Sequence, residues 1–249
     1  MREPAVRVPQ PIGMVAQDCV FAVLADAGEF ERIDDCVGHT ADDGTISLNW
    51  DGNRQYTAAC YNDIIPLYGA RGLDQGGFVY DYSWVEDGVT RYMEYPVLAG
   101  MFQQFCAWIS RGTYFLVDSF LPDSGWYFYV TAFVMSILWV CTVRMVAELA
   151  GNRVWDTLLV AGSPLLIVHA FTNWDIPSIF FAVAAMLAAR NRKWWLAGAL
   201  IGLGTAFKLW PLFLLGAYLT VAIRKRDFAP FGKMLVGAAV AWVVVNVPV

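Results

Sequence analysis

One acidic residue, Asp63, stands in the stretch from Cys60 to Tyr80, which is rich in apolar and aromatic side chains but interrupted by Pro66, Gly69, Gly72, Gly76 and Gly77. That punctuation excludes a long helix or a membrane span and leaves a short element with a carboxylate at its start. On spacing alone the favoured reading is a helix cap, because Asn and Asp are preferred N-cap residues. The reading that matters for chemistry is a carboxylate held in apolar surroundings, and the rest of the chain shifts the balance toward it. A second group lies far downstream: His169, Asn173, Asp175 and Lys208 are polar residues embedded in apolar runs. Lys208 is a cation suited to a phosphate oxygen. Three simpler readings stand beside this one. Lys208 snorkels to the head groups with Trp174 and Trp210 as belt aromatics, Asp175 neutralises Lys208, and His169 is a buried histidine satisfied by its neighbours.

The elements that must position these residues follow from composition. A chain of 249 residues with 58% hydrophobic residues, 16% charged residues and eleven Trp cannot bury that much apolar surface in a soluble core. It reads as a membrane protein. Between Glu29 and Glu94 there are thirteen acids against four Arg, whereas the bases of the second half cluster between apolar runs. This asymmetry is a topology signal and offers no nucleic-acid surface.

Residues 1–35 form a poorly defined N-terminal segment. The apolar run Cys19 to Ala25 is far shorter than the ~20 residues of a spanning helix and lacks the features of a signal peptide. The acidic region behind it nevertheless reads as external, so a mis-assigned start is the favoured expectation. Residues 36–125 are then an extracytoplasmic loop, with residues 28–125 outside. Cys36 and Cys60 are candidates for a disulfide across it, although Cys19, Cys106 and Cys141 leave the pairing open. The run from Tyr95 to Val117, with Val97, Met101, Phe105 and Trp108 at helical spacing, predicts an amphipathic helix lying at the interface.

From Trp126 onward apolar runs follow one another at about 126–147, 155–171, 173–190, 193–207, 210–223 and 232–249. Treated as spans, they place Arg153, Arg190, Arg192, Lys193 and Arg224 to Arg226 together in the cytoplasm. The fold class expected is an all-α polytopic membrane protein with about six transmembrane helices after an external loop, its bundle of residues 126–249 cut off at the C-terminus. The runs 193–207 and 210–223 rise only ~21 Å of a ~30 Å core, so the turn carrying Lys208 and Pro211 sits below the outer surface. Ionisable groups at such depth are costly, usually face the protein interior, and by default mark a functional site.

Several stretches resemble the family 87 glycosyltransferases of the GT-C superfamily, most closely the actinobacterial branch that uses polyprenyl-phosphate sugars. They are Tyr61-Asn62-Asp63-Ile64 with Tyr68, Gly77-Phe78-Val79-Tyr80, Arg91 to Leu98 with Glu94, Phe171-Thr172-Asn173-Trp174-Asp175, and Gly202 to Pro211. They occur in family order over roughly residues 48–249. Departures from the family pattern are the lack of Pro before Tyr80, a Tyr68 one position late, and no visible first span.

The resemblance implies transfer of a sugar, with mannose favoured over arabinose or glucose, from a polyprenyl phosphate donor to a glycolipid or cell-envelope glycan at the outer face. It implies Asp63 as the base and Lys208 as a contact to the lipid phosphate, with Arg71 and Arg91 as helpers and Tyr80, Glu94, Asn173 and Asp175 as further substrate-binding candidates. No cofactor is required, since a Lys or Arg can hold the departing phosphate. Asp42, Asp43, Asp51, Asp63 and Glu94 nevertheless offer oxygen ligands to a divalent ion. The competing expectations are a transporter or flippase of a lipid-linked precursor, a non-catalytic scaffold of cell-wall synthesis, and an inactive fragment.

Overall fold

The computed structural model describes residues 62–119, 122–163 and 169–247. The N-terminal 35 residues, the Cys36–Cys60 pair, and Asp42, Asp43 and Asp51 lie outside these residues. The described chain is mostly helical, with one two-stranded sheet. In order come α1 (Ile64–Ala70), β1 (Ser83–Glu86), β2 (Val89–Tyr92), α2 (Val97–Thr113), α3 (Asp123–Ala150), α4 (Thr157–Ala161), α5 (Ile176–Arg190), α6 (Trp194–Phe207), α7 (Phe213–Lys225) and α8 (Ala229–Asn246). Two compact units share them. Of the described residues, the first comprises 62–77, 104–119, 122–133 and 169–173, and the second comprises 78–103, 134–163 and 174–247.

Two helical stretches, Asp123–Ala161 and Ala229–Asn246, are long and apolar enough to cross a membrane, while Ile176–Arg190 and Trp194–Phe207 are apolar but shorter. Of the six expected runs, 126–147 and 232–249 thus fall on helices of full spanning length, and 173–190, 193–207 and 210–223 on shorter ones. A 3₁₀ turn, Gly151–Asp156, separates the expected runs 126–147 and 155–171, and the second run opens with α4, a helix of 5 residues. Gly151, at φ +58°, adopts the left-handed conformation that ends a helix. Many large apolar side chains on the long helices face outward, among them Phe133, Ile137 and Val140 on α3 and Val236, Val240 and Val244 on α8. Apolar surface of that extent is stable only against another apolar phase.

The second unit is built on the packing of α6 against α5 and α8. Small residues let backbones approach in membranes, where lipid gives no hydrophobic push between helices. Gly198 and Gly202, four residues apart on α6, face Met234 and Ala238, four residues apart on α8, so closely that a Cβ on either glycine would run into the carbonyl opposite. Around this contact Ala185, Ala188, Ala189, Ala197, Ile201 and Leu215 form the core. Polar contacts fix the ends of the unit. Arg190, at the end of α5, donates through Nη1 to the carbonyl of Glu148, near the end of α3. Lys208 pairs with Asp175 at the opposite end of α5. The turns expected to share one side of the membrane thus share one end of this unit.

Helix α2 matches the amphipathic helix read from residues 95–117, but its polarity is the reverse of a soluble helix. Gln103 and Ser110 are buried with Ala99, Cys106 and Ala107, whereas Phe105 and Trp108 are exposed. The apolar stripe read from the sequence is thus the outer face over this part of the helix.

Candidate active site

In the first unit, Asp63 occupies the N-cap position of α1 with no side-chain cap hydrogen bond of its own. Asn62 does that work: its Oδ1 accepts the backbone N–H groups of Ile64 at 2.9 Å and Ile65 at 3.1 Å. These are two of the donors that every helix N-terminus leaves without intrahelical partners. The carboxylate of Asp63 is thereby released from capping and instead accepts a 2.7 Å hydrogen bond from Asn173 Nδ2. Two further bonds sew this helix start to the distant segment. Asp63 N–H donates to the Thr172 carbonyl at 2.9 Å, and Asn62 Nδ2 donates to the Phe171 carbonyl at 3.0 Å. The cap reading of Asp63 is corrected accordingly, since its neighbour caps the helix.

Asn62 is 3% exposed and escaped the sequence reading, although its residue type is as good a cap as Asp. Asp63 itself is half-buried. The Thr172 hydroxyl donates to the His169 carbonyl at 3.0 Å, while the His169 side chain is exposed. The expectation of a buried histidine is thus corrected: its backbone shapes the turn that presents Asn173. Behind Asp63, Tyr68 is buried and stacks on Tyr127 with ring centroids 4.5 Å apart. Burial pushes the Tyr68 phenol up to about 12, with the Asp123 carboxylate acting in the same direction. Arg71 is half-buried at the C-cap of α1, and Arg111 of α2 donates to the Leu73 carbonyl in the loop that follows.

In the second unit, Lys208 and Asp175 form an ion pair with side chains 27% and 47% exposed. Lys208 ends α6 in an extended conformation, and Asp175 stands at the N-cap of α5. The neutralising role weighed for Asp175 is therefore observed, and Lys208 does not merely snorkel. Trp174 is fully buried and meets Tyr95 edge to face at 5.3 Å, so it is not the belt residue the sequence suggested. The Tyr80 hydroxyl donates to the carbonyls of Tyr95 at 3.1 Å and Pro96 at 2.9 Å, and burial pushes its phenol up to about 12. Gly100 admits the Tyr80 ring, because a Cβ there would overlap the phenol. Tyr80, Tyr95, Trp174, Asp175 and Lys208 therefore form one linked set, with Glu94 next to Tyr95. Arg91 does not join it: its Nε pairs with Glu86 Oε2 at 3.0 Å on the exposed β1–β2 hairpin.

No group of three or more His, Cys, Asp or Glu arranged to hold a metal occurs among the described residues. The first unit holds an oriented carboxylate, Asp63, and the second a paired ammonium, Lys208. Their respective partners, Asn173 and Asp175, are separated along the chain only by Trp174.

A family model for Glycosyltransferase family 87 matches residues 95–249. The match takes in Asn173, Asp175 and Lys208 but begins after Asp63. No curated protein and no solved structure matches the chain. The match covers more than half of the sequence, in agreement with its apolar helices, and the chain belongs to glycosyltransferase family 87 as a membrane glycosyltransferase.

Proposed function

We propose that the chain moves a sugar, mannose, from a polyprenyl phosphate donor to a hydroxyl of a cell-envelope glycolipid or glycan at the outer face of a multi-pass membrane domain, with residues 28–125 extracytoplasmic. The observation that carries this reading is the release of Asp63 from helix capping and its hydrogen bond from Asn173. A capping carboxylate is tied to its own backbone, whereas that of Asp63 is oriented by the side chain of Asn173, a residue far away in sequence.

In the proposed step the acceptor oxygen attacks the anomeric carbon and its proton passes to the Asp63 carboxylate. The bond from that carbon to the phosphate oxygen breaks, and its electron pair leaves with the lipid phosphate. A single displacement inverts the anomeric centre. A positioned base of this kind supplies about 10²- to 10⁴-fold. Lys208 is proposed to hold the departing phosphate, where a preorganised cation stabilises charge that develops in the transition state. An ammonium has three donors, so an ion pair with Asp175 aims Lys208 without exhausting it. Asp175 and Asn173 act as positioning residues. Tyr80 and Glu94 shape the donor site, with Arg71 as an accessory cation.

The test is transfer from labelled polyprenyl-phosphate mannose in membranes that carry the full-length protein, comparing the wild type with Asp63→Asn. Loss of transfer in the variant alone supports the assignment. Equal transfer by both removes Asp63 as the base, and no transfer by either favours a flippase or scaffold.

A further inference from the structure

At the end of the second unit opposite the Lys208–Asp175 pair, the turns after α5 and α7 border a cavity of about 640 Å³. Its rim carries Arg190, Arg192 and Lys225, and its wall is formed by Trp194, Tyr218 and Phe231. Among the described residues the only acid lining it is Asp227, whose Oδ1 accepts the Ala229 N–H at 3.2 Å beside the start of α8. Arg190 is partly committed to the Glu148 carbonyl, whereas neither Arg192 nor Lys225 has an ion-pair partner among the described residues.

The simplest account of these bases is topological: cations favour helix C-termini and the cytoplasmic ends of spans. That account needs neither a cavity nor an aromatic wall. It also leaves a choice of residue unexplained. Arg192 and Arg226 sit at φ +58° and +53°, the left-handed position after a helix that is usually given to Gly. An arginine there costs about 1 kcal/mol or more in backbone strain. Two such arginines occur at the two turns beside one cavity.

We propose that this cavity binds an anionic phospholipid, its phosphate held by Arg192, Lys225 and Arg190 and its first acyl carbons laid against Trp194, Tyr218 and Phe231. The arrangement is amphiphilic, with cations at the rim and apolar rings within. Around it Trp195, Val221, Ile223 and Phe228 are exposed, so the opening lies where hydrocarbon must already cover the protein. A soluble phosphate would use the rim and leave the aromatic wall wet. Basic pockets between transmembrane helices recognise lipid head groups through this combination of charge and depth. The inference rests on the membrane character of the chain and not on its reaction.

Native mass spectrometry of the delipidated full chain, titrated with phosphatidylglycerol or phosphatidylcholine, tests it. The expected result is one phosphatidylglycerol bound in preference to phosphatidylcholine. At about one cation's worth of surface attraction each, Arg192→Gln with Lys225→Gln lowers that affinity about thirtyfold. The charge-preserving pair Arg192→Lys with Lys225→Arg retains it, as does Arg153→Gln, which removes a cation from outside the cavity. A second measurement uses the wild-type fold: phosphatidylglycerol with brominated acyl chains quenches tryptophan fluorescence saturably, and Trp194→Phe removes the saturable part. Equal binding by the wild type and the double Gln variant overturns the proposal. So does displacement of the lipid by millimolar inorganic phosphate, or quenching no stronger than that by brominated phosphatidylcholine.

Discussion

Asn173 donates its side-chain amide to the Asp63 carboxylate at 2.7 Å across 110 positions of sequence. A bond of that span fixes where one oxygen of the acid points, because the Thr172 carbonyl next to Asn173 also holds the Asp63 backbone N–H at 2.9 Å. If Asn173 acts by orienting the base, Asn173→Ala lowers kcat roughly tenfold and leaves the KM for the lipid donor unchanged, a smaller effect than the ~10²- to 10⁴-fold expected for losing the base. Steady-state transfer in membranes checks this. A rise in donor KM with kcat intact would make Asn173 a donor contact instead.

Asn62 separates structural support from chemistry. Removing it deletes both bonds to the start of α1 and the bond to Phe171. Loss of an N-cap costs about 1 kcal/mol, and Asn62→Ala is expected to reduce stability by about that amount plus the further bond. Asn62→Asp keeps the capping oxygen and loses only the donor to Phe171, so it should recover much of the loss. Hydrogen exchange at Ile64 and Ile65 reports the cap directly: both amides exchange faster in the Ala variant and stay protected in the Asp variant.

The buried phenols of Tyr68 and Tyr80 set an alkaline limit. Each is raised from 10.0 to about 12, so between those values the unfolded chain has lost a proton that the folded chain keeps. Stability then falls as pH rises. The contribution is fully present below pH 10 and is lost as pH passes through 12. Tyrosinate absorbance followed through an alkaline titration should show the Tyr68 and Tyr80 phenols among those ionising late, together with loss of structure. Tyr68→Phe removes one of the late transitions.

Much of this architecture was legible in the sequence because it rests on composition and length. The exposed apolar helices, the short runs on either side of Lys208 and the shared end of the basic turns all follow from counting apolar residues between charges. Helix α6 has 14 residues and α7 has 13, as the run lengths implied. The boundary between the runs 126–147 and 155–171 falls at Gly151–Asp156, where the run ends placed a turn. The division of labour between Asn62 and Asp63 was hidden. Both are cap residues by type, and only the distant segment 171–173 decides which one caps. Trp174 was misread for a related reason: its burial depends on Tyr95, far away in sequence.

The glycines of α6 are expected to be intolerant where another helix lies against them. Gly202 faces the Ala238 carbonyl without room for a Cβ, whereas Gly216 on α7 has open space. Gly202→Ala forces α6 and α8 apart and should cost about 1 to 3 kcal/mol, the usual range for overpacking. Gly216→Ala relieves backbone entropy in a helix and should be neutral or stabilise by up to ~1 kcal/mol. Thermal unfolding in detergent compares the two variants. Equal melting temperatures would show that α6 and α8 do not pack as closely as the glycine register indicates.

The pair at the other end of the unit carries the sharpest consequence for donor binding. Lys208 is 27% exposed and bound to Asp175, which is itself 47% exposed, so neither charge is deeply desolvated. The pair therefore contributes little to stability, since exposed ion pairs are worth ~0 to 1 kcal/mol, and its variants should fold. A hydrogen bond to a charged group is worth ~1.5 to 3 kcal/mol, which corresponds to roughly tenfold to a hundredfold in kcat/KM for the lipid donor when Lys208→Ala removes it. Asp175→Asn keeps an acceptor for the ammonium and should lose less than tenfold, an expectation set by the milder change. Because Asp175 touches Lys208 and is proposed to act through it, the double variant should be no worse than Lys208→Ala alone. Losses that multiply would show Asp175 meeting the substrate independently, and the same two side chains would then be separate contacts.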